Sequence, residues 1–148
     1  MNPPANILVP TDFSPQAEQA LDYACELAAK LGATVNLVSV VGIPALGVPE
    51  LGAAMTASVI DDMVRDNQKG LEALADARRG KAKIGQVLLR TGDARDVIPG
   101  VAEEIGADLI VMGTHGRRGL SRALLGSVAE YVVRISRVPV LTVRGKKP

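Results

Sequence analysis

Five short apolar runs alternate with four longer amphipathic stretches along this chain, and that alternation restricts its fold more than any other property of the sequence. The runs cover residues 7–9, 34–41, 84–90, 108–112 and 138–143. Their apolar residues tend to follow one another instead of alternating with polar ones, the pattern of a strand covered on both faces. In the stretches between them, apolar residues return at helical spacing. Ser14-Pro15 reads as an N-cap with proline at the first helical position, and Gly32 ends a helix that runs to Lys30. That helix presents Ala17, Ala20, Leu21, Ala24, Leu27, Ala28 and Leu31 on one face, with Cys25 on or near it. A second helix over residues 55–79 buries Ile60, Met63, Val64, Leu71 and Leu74, and Gly70 within it costs about 1 kcal/mol relative to alanine. Residues 93–105 and 127–135 are the third and fourth helices. Residues 42–54 hold three glycines and two prolines without period and read as a loop.

Strands buried on both faces and separated by helices imply a parallel sheet with helices on either side. Right-handed crossovers then leave a doubly wound α/β sheet. With 148 residues and no internal repeat, one domain spanning 1–148 is expected.

The fourth run leads into Gly113-Thr114-His115-Gly116-Arg117-Arg118-Gly119, and the last helix is preceded by Gly126-Ser127. A strand ending in glycines that feeds a helix N-terminus brings backbone N–H groups towards phosphate oxygens. Gly113 and Gly116 are expected to permit close backbone approach and positive φ, and Gly126-Ser127 to stand where the helix's unpaired amides begin. This points to a nucleotide-phosphate site.

The spacing Gly-x2-Gly-x9-Gly-Ser over Gly113, Gly116, Gly126 and Ser127 resembles the ATP-binding signature of the universal stress protein family. The likeness extends to Ile7-Leu8-Val9-Pro10-Thr11-Asp12-Phe13-Ser14, to Ala107-Asp108-Leu109-Ile110-Val111-Met112, and to Val138-Pro139-Val140-Leu141-Thr142-Val143. It implies strand order 3-2-1-4-5, with the crevice at the carboxyl ends of strands 1 and 4. It also implies a cytoplasmic, ATP-binding regulatory protein of the stress response, with at most weak hydrolysis. Asp12 would contact the adenosine end beside Pro10 and Thr11, and Val40 would lie against the base. Met112 would line the crevice. Gly113, Gly116, Gly126 and Ser127 would meet the phosphates, joined by Val128 through its backbone N–H. Magnesium is expected only as a companion of ATP, held mainly by phosphate and water. The last strand would be a sheet edge paired with its copy in a homodimer.

Several of these residues have a second, purely structural reading. Asp12 also suits the start of the first helix, where the helix dipole favours a carboxylate. Ser127-Val128-Ala129-Glu130 matches a capping box, so the Ser127 hydroxyl either caps the helix, neighbours phosphate, or does both. His115 has no carboxylate partner evident in the sequence and reads as a phosphate neighbour or solvent-facing group rather than a general base. Arg117, Arg118 and Arg122 either meet the terminal phosphate or remain surface cations.

The rest of the sequence mainly excludes. Residues 1–114 carry nine Lys/Arg against fifteen Asp/Glu, whereas residues 115–148 carry eight Lys/Arg and only Glu130. The basic final third suits a polyanion or is simply a solvated face with a lysine tail. Three aromatic residues, Phe13, Tyr23 and Tyr131, are too few to stack nucleic-acid bases. No apolar run approaches the ~20 residues of a membrane span. The absence of a basic, then apolar, leader and the single Cys25 favour a reducing compartment. There is neither a Gly-x4-Gly-Lys-Ser/Thr loop nor a Gly-x-Gly-x-x-Gly after the first strand, and no Cys/His metal cluster. A slow ATPase or nucleotide-dependent transferase, and an interaction module without nucleotide, are the competing functions.

Overall fold

The computed structural model describes residues 2–42, 52–115 and 125–145. Among these, the elements run β1 (Asn6–Pro10), α1 (Pro15–Leu31), β2 (Thr34–Val41), α2 (Gly52–Asp76), β3 (Lys83–Thr91), α3 (Ala94–Glu104), β4 (Leu109–Gly113), α4 (Ser127–Ile135) and β5 (Val140–Val143). All five strands are parallel in one sheet ordered β3-β2-β1-β4-β5. The expected doubly wound sheet and its order are therefore present. Among the described residues no helix is long and apolar enough to cross a membrane.

The pleat divides the core. Ile7, Val9, Val35, Leu37, Leu109 and Val111 pack against α1 and the second half of α2. Leu8, Val38, Ile110 and Met112 pack against α3 and α4. A strand whose alternate residues enter two different cores is apolar at most positions, which explains the nearly continuous runs.

Helix α1 begins and ends where its sequence signals stand. Ser14 is the N-cap, its Oγ accepting from Ala17 N, and Gly32 closes the helix at φ 70°. The expected face is buried at Ala17, Ala20, Leu21, Ala24 and Ala28, half-buried at Leu27 and exposed at its end, where Leu31 is 42% exposed, and Cys25 also takes a core place. Burial pushes the Cys25 thiol upward in pKa, against a smaller opposing effect of Arg78. The contribution of the neutral thiol to stability is thus complete below the ordinary thiol range and lost as pH rises through the folded-state pKa. Iodoacetamide should modify native protein roughly a hundredfold more slowly than urea-unfolded protein, because it needs an exposed thiolate. A native rate within a few fold of the unfolded one would contradict this placement.

Helix α2 departs more from expectation. Ile60, Met63 and Val64 are only half-buried, while Leu71 and Ala75 are fully enclosed. The helix ends at Asp76 rather than Arg79, in a turn where Lys81 N and Ala82 N both donate to Arg78 O. Arg78 is itself buried and ties the turn to α1 through Asp22 Oδ1 at 2.9 Å. Strand β5 starts at Val140, two residues late, although Pro139 O already accepts from Ile110 N. Proline without an N–H cannot continue the ladder.

One buried polar residue organises the sheet. Asn36, 3% exposed in β2, lies where the β2–β3 register shifts between Val35 and Leu37. Its Nδ2 donates to Ile7 O and Asn6 Oδ1, and its Oδ1 accepts from Gln86 N. Gly85 must be glycine here, because a Cβ would come within 2.6 Å of Asn36 Oδ1.

Candidate functional site

The sheet reverses direction of winding at β1, whose neighbours β2 and β4 are reached by connections on opposite sides, and a crevice opens beyond the carboxyl ends there. The wall after β1 is a turn closed by its own side chains. Thr11 N donates to Val38 O, Phe13 N donates to Thr11 Oγ1, and Ser14 N donates to Asp12 Oδ1. These bonds hold Asp12 at the crevice rim while Thr11 is buried beneath it. Asp12 thus does support the start of α1, and it lines the crevice as well.

The opposite wall is built from β4 and α4. Thr114 N donates to Val143 O, and Gly126 N donates to Thr114 O at 2.7 Å, which returns the chain to the end of β4 just before α4 begins. Thr114 Oγ1 lies 3.0 Å from His115 Nδ1. Gly126 is the N-cap of α4, with no side-chain capping bond, and the first helical bond runs from Glu130 N to Gly126 O. The amides of Ser127, Val128 and Ala129 therefore precede the first helical donor, Glu130 N, and carry the positive end of the helix dipole.

The resulting cleft has a volume of about 570 Å³, within the ~300–1,000 Å³ range of small-molecule sites. Pro10, Thr11, Asp12, Val40, Met112, Gly113, His115, Gly126, Ser127 and Val128 all line it. Gly116 and Arg117, together with Arg118 and Arg122, lie outside the described residues. The cleft is also lined by Ala17, Val38, Ala94, Ile98, Thr114 and Ala129, none of which was identified from sequence. Val38 was accessible in principle, since it shares a strand face with Val40. Ala94 and Ile98 enter from α3 through tertiary packing, for which the sequence carries no local signal.

Two expectations need correction. The capping box does not form: Ser127 is the first helical residue rather than the N-cap, and Glu130 instead pairs with Arg134. Gly113 is not among the described glycines with positive φ. Its missing side chain serves packing, because a Cβ there would stand 3.2 Å from Gln16 O of α1. Gly126, at φ −62°, also has a backbone open to any residue.

Chemically, the cleft joins a helix N-terminus suited to anions to an apolar end formed by Val38, Val40, Ala94 and Ile98. Among the described residues no group of three or more His, Cys, Asp or Glu side chains is placed to hold a metal.

Comparison with known proteins agrees with the fold. A universal stress protein of Methanocaldococcus jannaschii is 37% identical over 147 residues, covering 96% of this chain and 82% of that protein. A crystal structure of a universal stress protein in complex with cAMP is 26% identical with a TM-score of 0.67, covering 97% of this chain and 98% of the other. The universal stress protein of Archaeoglobus fulgidus in complex with dAMP is 26% identical with a TM-score of 0.63, covering 93% of this chain and 96% of the other. The universal stress protein family profile matches residues 5–144, and with nearly the whole chain accounted for, this protein belongs to the universal stress protein family.

Proposed function

We propose that this protein binds ATP in the β1–β4 crevice and acts as a nucleotide-dependent regulator in the cytoplasm, its single domain paired as a homodimer. The observation that carries the reading is the union of the α4 N-terminus with an apolar recess in one cleft of nucleotide size. Adenine nucleotides in two solved relatives support it. In this reading adenine lies between Val40 and the Pro10–Asp12 turn, and the phosphates reach Gly126, Ser127 and Val128 beside Gly113 and His115. Gly116 and Arg117 complete the phosphate end, and any magnesium comes with the phosphates. Occupancy stabilises the conformation that a partner protein reads. Mass analysis of ligand released from freshly purified, denatured protein, followed by calorimetry with ATP, tests the assignment. An empty protein that gives no binding heat with millimolar ATP would overturn it.

ATP should bind more tightly than GTP, because the recess meets the edge of the base. Asp12→Asn keeps the acceptor for Ser14 N while removing charge, so it separates support of the turn from contact with ligand. Asp12→Ala should weaken ATP by about 1–3 kcal/mol if a ligand hydroxyl or amino donor loses its acceptor. Equal affinity for ATP and GTP in calorimetry would count against this pocket.

The dimer reading is supported by β5. Pro139 O and Val143 O accept from Ile110 N and Thr114 N, so the intervening Val140 and Thr142 direct their backbone groups away from β4. An edge without charge invites pairing with a second copy. Leu141 and Val143 also pack on the α1 side of the core, so lysine at both would damage the fold as well as the interface. Thr142→Pro removes an outward N–H alone and should give a monomer by light scattering. A wild-type monomer at tens of micromolar would refute the dimer.

A further inference from the structure

Phe13 is the only described non-glycine residue with positive φ, 65°, and it stands between Asp12 and the α1 N-cap Ser14. An aromatic residue in the left-handed region persists only where its surroundings hold it. Here the ring is held from across the molecule. It packs against the α1–α2 core and over Gly70 of α2, where a Cβ would lie 3.0 Å from Phe13 Cε1 and 3.4 Å from Cζ. Gly70 is thus a helix glycine kept for the close approach of a ring, despite its cost in helix propensity.

The same turn of α2 lies behind β2, the strand whose Val38 and Val40 line the cleft from the other face of the sheet. Ser39 is buried between Val38 and Val40 in sequence and points to the opposite face, its Oγ 3.4 Å from Asn67 Oδ1. Asn67 is oriented in turn by donating from Nδ2 to Met63 O at 2.7 Å. Asn67 and Gly70, three residues apart, lie on one side of the helix. One therefore backs the strand beside the recess, and the other backs the turn that carries Asp12.

We propose that Phe13 and Gly70 are positioning residues for the nucleotide site, coupling the α2 segment around Asn67–Leu71 to the Thr11–Ser14 turn. Neither residue needs to touch ligand. The Phe13 ring, seated on Gly70, holds the left-handed backbone that lets Ser14 N reach Asp12 Oδ1 and so fixes where the carboxylate stands. By linkage, a ligand that requires this turn also favours the seated position of α2, so α2 reports occupancy at the surface. The inference rests on the ATP-site reading above, and the test separates the two.

Gly70→Ala improves helix propensity and should leave Tm unchanged or raised if the glycine has only a local role. The coupling instead requires ATP affinity at least fivefold weaker by calorimetry, because a Cβ 3.0 Å from Phe13 Cε1 makes the ring give by a few tenths of an ångström. In a Phe13→Gly background the ring is gone and glycine accepts φ 65° freely, so the same Gly70→Ala step should then have no effect. Unchanged affinity in Gly70→Ala, or an equal loss in both backgrounds, would overturn the proposal. Amide exchange at Ser14, read without nucleotide in all four proteins, gives the same cycle independently of binding. It should be faster in Gly70→Ala than in wild type and indifferent to that step once Phe13 is glycine. Absence of ATP binding in the wild type would remove the proposed function alone, whereas identical Ser14 exchange in wild type and Gly70→Ala would remove the coupling.

Discussion

Gly126→Val should abolish detectable ATP binding while the far-UV circular dichroism spectrum stays that of the wild type. The backbone at Gly126, φ −62° and ψ 157°, is open to a branched residue, so no conformational penalty is built in. The position lies in the cleft wall, immediately before the first amides of α4. A valine side chain there takes the space in which phosphate oxygens would approach those amides, and charge-assisted bonds of that type are the strong ones. A loss of more than about a hundredfold in affinity, about 2.7 kcal/mol, is expected by calorimetry. Gly126→Ala should fall between valine and wild type. Gly116→Val, outside the described residues, should behave like Gly126→Val if the phosphate end spans both. Wild-type affinity in both valine variants would end the phosphate assignment, whatever else the cleft holds.

Asn36→Ala should lower stability by about 2–4 kcal/mol without touching the cleft, the combined effect of several buried groups losing partners. Asn36 satisfies Gln86 N at the β2–β3 register shift and donates to Ile7 O in β1, so one side chain links three adjacent strands. Its neighbour Asn6 continues the chain of bonds to Ile105 O at 2.8 Å, and Asp108 Oδ2 accepts from Ala5 N and Asn6 N. Truncation leaves Gln86 N, part-buried on the edge strand, without its acceptor, and Ile7 O in the buried sheet with one donor fewer. Asn36→Leu should be no better, since its volume meets Gly85 and its methyls satisfy nothing. The urea midpoint should fall with little change in slope. A shift below ~0.5 kcal/mol would mean that water or backbone adjustment replaces the network.

Local signals in the sequence carried furthest where the backbone chemistry is self-contained. Ser14-Pro15 and Gly32 bound α1 because capping and left-handed closure depend on a few adjacent residues. Residues 34–41 and 127–135 coincide with β2 and α4 for a similar reason, being predominantly apolar and amphipathic segments with clear ends. Signals that depended on a distant neighbour were misread. Ser127-x-x-Glu130 has the letters of a capping box, yet Gly126, whose N returns to Thr114 O, is the N-cap and Ser127 the first helical residue. Gly113 and Gly70 carried a conformational or energetic reading, but each makes room for another part of the chain, Gln16 in one case and Phe13 in the other.

The class of fold was legible in the sequence, because strands that enter cores on both faces are apolar at nearly every position, and no partner is needed to see that. The sequence also determined that Pro10–Asp12 and Met112–Gly113 stand at strand ends, and the family resemblance carried by those residues supplied the strand order that sets them side by side. Tertiary structure alone decided the remainder of the cleft, since Ala17, Ala94 and Ile98 reach it only once helices from separate parts of the chain have docked. It likewise decided that Asn36 is a structural hub and that Gly70 is a seat for a ring. Hydrogen bonds and close approaches between residues some 30 to 60 positions apart leave no periodicity in a sequence; they exist only when packing brings the two surfaces together.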